Sequence, residues 1–230
     1  MKDRVLPLVT FVWLLATTLT VNAEAQNRAF KQSSYREIAV TFDDLPVISF
    51  TDYDLAGYKQ ITTRLLKSIS SNNVPAIGFV NEEKLLSRGE LDETRVALLR
   101  LWLDAGLELG NHTFSHLDLH TTPLPIYQED VIRGETTTSQ LLKNKGAKLR
   151  YFRHPYLHTG RNIETKEKLG EFLVGRGYRI APVTIINSDW IFAASYDYAL
   201  ERGDKQLRKR IAEAYIPYDF GILNWFLSEE

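Results

Sequence analysis

The 230-residue chain contains no cysteine. Disulfides, thiol chemistry and a lipid anchor on an N-terminal cysteine are thereby excluded, and any metal site must be built from histidine and carboxylate. A domain of this length can rely on its apolar core without cross-links, even in an oxidising compartment. An excess of either charge is also lacking, with 28 Lys+Arg against 29 Asp+Glu and a formal net charge of −1. Without a basic excess or a Lys/Arg stripe, nucleic acid is not expected as a partner. The densest basic stretch, Lys205 to Arg210, lies beside acids and reads as a solvated helix face. Repeats and low-complexity linkers are missing, so one domain is the simplest count. Oligomeric state is not legible.

One apolar run stands out, from Val5 to Val21, behind Lys2 and Arg4 and ahead of Val21-Asn22-Ala23 and Ala23-Glu24-Ala25. A positive start, an apolar stretch and small residues at the cleavage positions read as a secretory signal peptide over 1–23, cut after Ala23 or Ala25. A retained signal anchor is the alternative, but the run is a little shorter than the roughly 20 residues a spanning helix needs. Pro7 and four threonines also dilute it. The expectation is a secreted or periplasmic protein with no stable membrane insertion after cleavage. Residues 24–35 read as a disordered lead-in, and residues 36–230 as the folded domain.

Within that domain, strand and helix patterns alternate. Ile38 to Phe42 is an apolar, β-branched strand ending in Asp43-Asp44, and Leu55 to Ile69 carries apolar residues at helical spacing. Strands are predicted at Val74–Val80, Leu107–Gly110, Leu149–Arg153 and Tyr178–Ile186. Helices are predicted at Leu91–Leu103, Tyr127–Leu142 and Glu164–Val174. A mostly helical tail follows over Ile191–Trp225, broken near Pro217. This order implies an α/β fold with parallel strands and helices outside. Four polar clusters, Asp43-Asp44, His112…His116, Arg153 and Asp189-Trp190, each follow a strand. In a (β/α) barrel the loops at those strand ends meet on one face, where catalytic groups collect.

Two histidines four residues apart, His112 and His116, would share one side of a helical turn and grip one cation. Alone, such a pair is more often structural, and adjacent aspartates more often cap helices or fill turns. Together, two imidazoles and one carboxylate leave a fourth position for water, as in catalytic zinc sites. The other aspartate of the pair stays free to take a proton from that water, and Arg153 would pair with it and hold it ionised.

Val40-Thr41-Phe42-Asp43-Asp44-Leu45-Pro46, Asn111-His112-Thr113-Phe114-Ser115-His116, Arg153-His154-Pro155-Tyr156 and Ser188-Asp189-Trp190 resemble, in order, the first four motifs of the polysaccharide deacetylase family. This is the NodB-homology domain, or carbohydrate esterase family 4. Phe152 to Gly160 further resembles a bacterial subgroup with an FRHPYLHTG-like third motif. The resemblance implies a distorted (β/α) barrel that hydrolyses the acetamide of an N-acetylglucosamine-type residue in a glycan. It implies Asp43 as general base, Asp44, His112 and His116 as ligands of Zn2+, and Arg153 as the group orienting Asp43. It further implies an oxyanion donor in the backbone N–H of Tyr156, a pocket wall in Trp190 and a supporting carboxylate in Asp189. The same donor set would also accept Co2+, Ni2+ or Mn2+.

The family's fifth motif, a leucine, one spacer and a general-acid histidine, has no counterpart. All five histidines lie at or before position 158. The barrel would then be incomplete at its C-terminus, or His154 or His158 would replace the acid, or water or a partner chain would supply it. A metal- or glycan-binding protein of weak activity and a small-molecule amidase are the competing readings.

Overall fold

The computed structural model describes residues 38–47 and 54–228, all but the first belonging to a compact unit, Ala39–Glu230. The expected signal and lead-in segments lie outside the described residues. Five parallel strands form the sheet: β1 (Val40–Leu45), β2 (Ala76–Val80), β5 (Glu108–Asn111), β6 (Tyr151–Phe152) and β7 (Arg179–Ile180). Their spatial order is β1-β2-β5-β6-β7. A doubly wound sheet reverses direction at a switch point. This order never does, and it describes the wall of a (β/α) barrel. Among the described residues β1 and β7 do not pair, so the wall is an arc and not a closed ring.

Helices α1 (Leu55–Ser71), α2 (Glu93–Asp104), α3 (Leu124–Arg133), α4 (Thr136–Asn144) and α5 (Ile163–Gly175) connect the strands. Asp54, Asp92 and Asn162 cap three of them, each side chain accepting a first-turn backbone N–H at 2.7–2.8 Å. Between β2 and α2 lie a 3-10 turn (Glu82–Leu85) and a short hairpin, β3 (Leu86–Ser87) and β4 (Glu90–Leu91), which the sequence pattern does not announce. The main core joins β1, β2 and β5 to α1, α2 and α4 through Leu45, Leu66, Val80, Leu99, Trp102 and Leu142. A second cluster under β6 centres on Tyr127, Val131, Phe152, Leu169 and Leu173.

Three expectations need correction. The single helix over Tyr127–Leu142 is two helices, parted at Gly134-Glu135. The last strand, expected over Tyr178–Ile186, keeps ladder geometry only at Arg179 and Ile180. The tail is α6 (Asp189–Glu201) and α7 (Lys205–Ser228), separated at Gly203, and Pro217 lies inside α7 without ending it.

The glycine at this break has a steric reason. A Cβ there would lie 2.4 Å from the carbonyl carbon of Thr113, in the loop that carries His112 and His116. Gly134→Ala should therefore cost about 1–3 kcal/mol, the usual cost of overpacking. Gly170, inside α5, has nothing within 4 Å of its virtual Cβ. Gly170→Ala should add about 0.5–1 kcal/mol through helix propensity. Urea midpoints moving in opposite directions are expected; an unmoved midpoint for Gly134→Ala would show that the loop yields to the extra methyl.

Candidate active site

The site begins with an irregularity in β1. Phe42 pairs with Gly78 and Leu45 with Val80, so Asp43 and Asp44 together stand opposite Phe79 alone. Consecutive side chains of a regular strand point to opposite faces. A bulge re-aims one of them, and here Asp44 takes φ 64°. The two carboxylates consequently serve one site, from within the strand and not just beyond it as the pattern suggested.

The histidine segment is a loop and not a helical turn. Thr113 and His116 both adopt left-handed backbone, φ 67° and 56°. The loop is fixed by buried polar groups. Asn111 Oδ1 accepts the Thr113 N–H at 2.7 Å, and Thr113 Oγ1 accepts the His116 N–H at 3.0 Å. Asp130, on α3, accepts the Ser115 N–H and hydroxyl at 3.0 and 2.6 Å. Asn81 donates to the His112 carbonyl.

Donor atoms of Asp44, His112 and His116 lie within 4.8 Å of one another, with His116 Nε2 3.6 Å from Asp44 Oδ1. Ligands about 2.0–2.2 Å from one zinc ion are spaced roughly 3–4 Å apart, so the three residues fit a shared divalent cation. His112 Nδ1 lies 2.8 Å from the Arg153 carbonyl. A carbonyl only accepts, so Nδ1 carries the proton and Nε2 keeps its lone pair for an ion. Burial, opposed by Asp44, pulls His112 down to about 4, and burial likewise lowers His116. Both are therefore neutral, ligand-ready imidazoles at neutral pH.

Arg153 is 3% exposed and held on three sides. Its Nε donates to the Ala181 carbonyl at 2.7 Å, Nη2 to the Thr41 hydroxyl at 3.2 Å, and Nη1 to both Asp43 oxygens at 3.2 Å. Burial raises Asp43 above the ordinary carboxylate range, against the pull of Arg153 and with help from Asp44. Burial would raise Asp44 as well, but Lys84, His112 and His116 together outweigh it and hold Asp44 low. The neighbouring carboxylates are thus driven in opposite directions, Asp43 upward and Asp44 downward.

Lys84, which carried no sequence signal, reaches from the 3-10 turn to place Nζ 3.1 Å from Asp44 Oδ1 and 3.2 Å from the Asp44 carbonyl. Asp130 was equally silent, one of two adjacent acids in an amphipathic helix. Asn111 could have been found, because it directly precedes His112.

Tyr156 sits on a 3-10 turn (Pro155–Leu157) at φ 55°, its ring 4.5 Å from that of His116 and its side chain largely exposed. Asp189 heads α6, and Asp43 and Asp44 contribute to the rise that burial causes in its carboxyl. Its hydrogen bond goes to the Trp190 N–H at 2.8 Å. Trp190 itself is exposed. His154 is buried, with Nδ1 lacking a partner, and burial pulls it down to about 4. It would be unprotonated at neutral pH and does not suit the role of a general acid.

The sequence model of polysaccharide deacetylases matches residues 31–171. A chitin deacetylase from Pestalotiopsis sp. is 29% identical over 152 residues, which is 66% of this chain but only 43% of that protein. The chain therefore spans less than half the length of this curated relative. Among solved structures, a family 4 carbohydrate esterase from Streptomyces lividans in complex with acetate aligns with TM-score 0.46 and 22% identity, covering 70% of this chain and 68% of that one. A family 4 pseudoenzyme from Bacillus anthracis aligns with TM-score 0.48 and 15% identity, covering 73% and 50%. The sequence match takes in well over half of the chain and every site residue from Asp43 to Tyr156, and on that ground the protein belongs to the polysaccharide deacetylase family.

Proposed function

We propose that this chain hydrolyses the acetamide of N-acetylated amino sugars in a chitin- or peptidoglycan-like glycan, with a divalent cation, zinc by preference, held by Asp44, His112 and His116. The observation that carries the reading is the pairing of a three-donor cluster with an adjacent carboxylate, Asp43, that Arg153 fixes and burial makes more basic. A cation bound there supplies Lewis acidity, polarising the acetyl carbonyl and acidifying water.

The chain's own residues do the rest. Asp43 takes the proton of the attacking water as its oxygen bonds to the acetyl carbon. The Tyr156 peptide N–H is the proposed donor to the carbonyl oxygen as negative charge develops there. Collapse breaks the C–N bond, leaving acetate, and the departing amine needs a proton. Asp43 holds one after the first step and can return it. Tyr156, whose ring lies against His116, and Trp190 are both exposed aromatics that would offer faces to a sugar ring, and Asp189 would add negative field. Export through the signal segment read over residues 1–23 would bring the protein to such polymers.

Acetate release from N-acetylated chitooligosaccharides and peptidoglycan, with zinc supplied, tests the proposal. Chelation should abolish turnover and zinc should restore it. Asp43→Asn should lower kcat by roughly 10²–10⁴-fold while bound zinc is retained. Zinc binding with no acetate from any glycan would instead support a glycan-binding protein, and turnover confined to non-glycan amides a small-molecule amidase.

The depressed histidines also set an acid limit. His112 and His154 titrate at about 4 in the folded chain, against about 6.5 when exposed. Between those values the unfolded chain binds protons that the folded one refuses. Stability is therefore complete above pH 6.5 and falls as pH drops towards 4, by up to about 3 kcal/mol per histidine. In chelator, the urea midpoint should decline over this range, and His154→Leu should make the decline shallower. An unchanged slope would mean that His154 takes up protons in the fold as readily as in the unfolded chain.

A further inference from the structure

A second donor cluster lies outside the site just described. Asp118 and His120 belong to the loop running from His116 to α3, and His158 follows the 3-10 turn that carries Tyr156. One donor atom from each of the three lies within 4.8 Å of the others. His158 Nδ1 is 2.7 Å from Asp118 Oδ1, and the His120 and His158 rings stack with centroids 3.8 Å apart and 7° between planes.

The backbone holds these donors in place before any ligand arrives. Asp118 Oδ1 accepts the His120 N–H at 2.7 Å, and its carbonyl accepts the N–H groups of Thr121 and Thr122 at 3.1 and 2.9 Å. Leu119, between two of the donors, is buried in the core under β6. On the opposite loop, the His158 N–H donates to the Pro155 carbonyl at 3.1 Å. An ordinary Asp–His hydrogen bond needs one imidazole. Here a second is held against the first, in a half-exposed position where burial of two rings gains little.

We propose that Asp118, His120 and His158 form a second divalent-cation site, for zinc or a similar borderline ion, that ties the His116 loop to the Tyr156 loop. Two nitrogens and one carboxylate oxygen suit Zn2+, Co2+ or Ni2+, with water completing the coordination. The Tyr156 ring stands between the two clusters, 4.5 Å from His116 and 5.7 Å from His158 by ring centroid. An ion on the far side of that ring cross-links the segments that carry a ligand of the first cluster and the oxyanion donor. Its role is to hold geometry, and it takes no part in the bond-breaking step.

The test is zinc stoichiometry of the full chain by equilibrium dialysis and elemental analysis. Two equivalents per chain are expected for the unmutated protein. His120→Ala/His158→Ala should lose one and Asp44→Asn the other, and the second equivalent should raise the melting temperature only where His120 and His158 are intact. Two equivalents retained by the double variant would overturn the proposal, as would a single equivalent lost in Asp44→Asn alone. A single equivalent lost only in the double variant would uphold this site and sink the first. Should the double variant not fold, the unmutated chain decides. Zinc should protect His120 and His158 from diethyl pyrocarbonate, read by mass spectrometry, and equal modification with and without zinc counts against the site.

Discussion

The whole arrangement depends on one extra residue in β1. Because Asp43 and Asp44 jointly face Phe79, both carboxylates are delivered to the same place, which a regular strand would forbid. Every neighbouring group is disposed around that fact. Arg153 comes from the end of β6 to hold the first carboxylate, and the loop after β5 brings two imidazoles to the second. Without the bulge, one aspartate would face away from the strand-end loops, and the proposed division between a proton acceptor and an ion ligand would have no geometry to rest on.

Left-handed backbone recurs where the chemistry is concentrated. Asp44, Thr113, His116, Tyr156 and Leu157 all have positive φ without being glycine. Each such residue is strained by about 1–2 kcal/mol, and such strain persists only where the surroundings enforce it. Here the enforcement is visible. Asn111 and Asp130 grip the histidine loop, both 3% exposed or less, and Gly134 lets α3 approach Thr113 closely enough for those bonds to form. Stability spent in this way would leave little reorganisation for the proposed reaction.

Much of this was readable beforehand, and what was not has identifiable physical causes. Strand-helix alternation and the four polar clusters depend on periodicity and order, which sequence displays directly, so the α/β class and the gathering of Asp43, His112 and Arg153 could be anticipated. The bulge, the loop form of 112–116 and the division of the helix at Gly134 come from contacts between segments distant in sequence. An H-x-x-x-H spacing alone cannot distinguish a helical turn from a loop held by Asn111 and Asp130. The final strand shrank because Pro182 and the residues after it find no ladder partner among the described residues. Lys84 and Asp118 were silent for a simpler reason: single charged residues in short turns look like solvated surface.

The cationic partners of the two aspartates differ in how easily they can leave. Arg153 is immobilised by three acceptors, whereas Lys84 sits on a flexible stem with 37% of its side chain exposed. The ammonium of Lys84 offsets the charge of Asp44, so two neighbouring carboxylates need not force the strand end apart. An ammonium on such a stem can swing into water, whereas the guanidinium on Asp43 is held where it is. Of the two aspartates, Asp44 is thus the one whose counter-charge can withdraw should a divalent cation be taken up as proposed, and Asp43 the one whose partner is fixed.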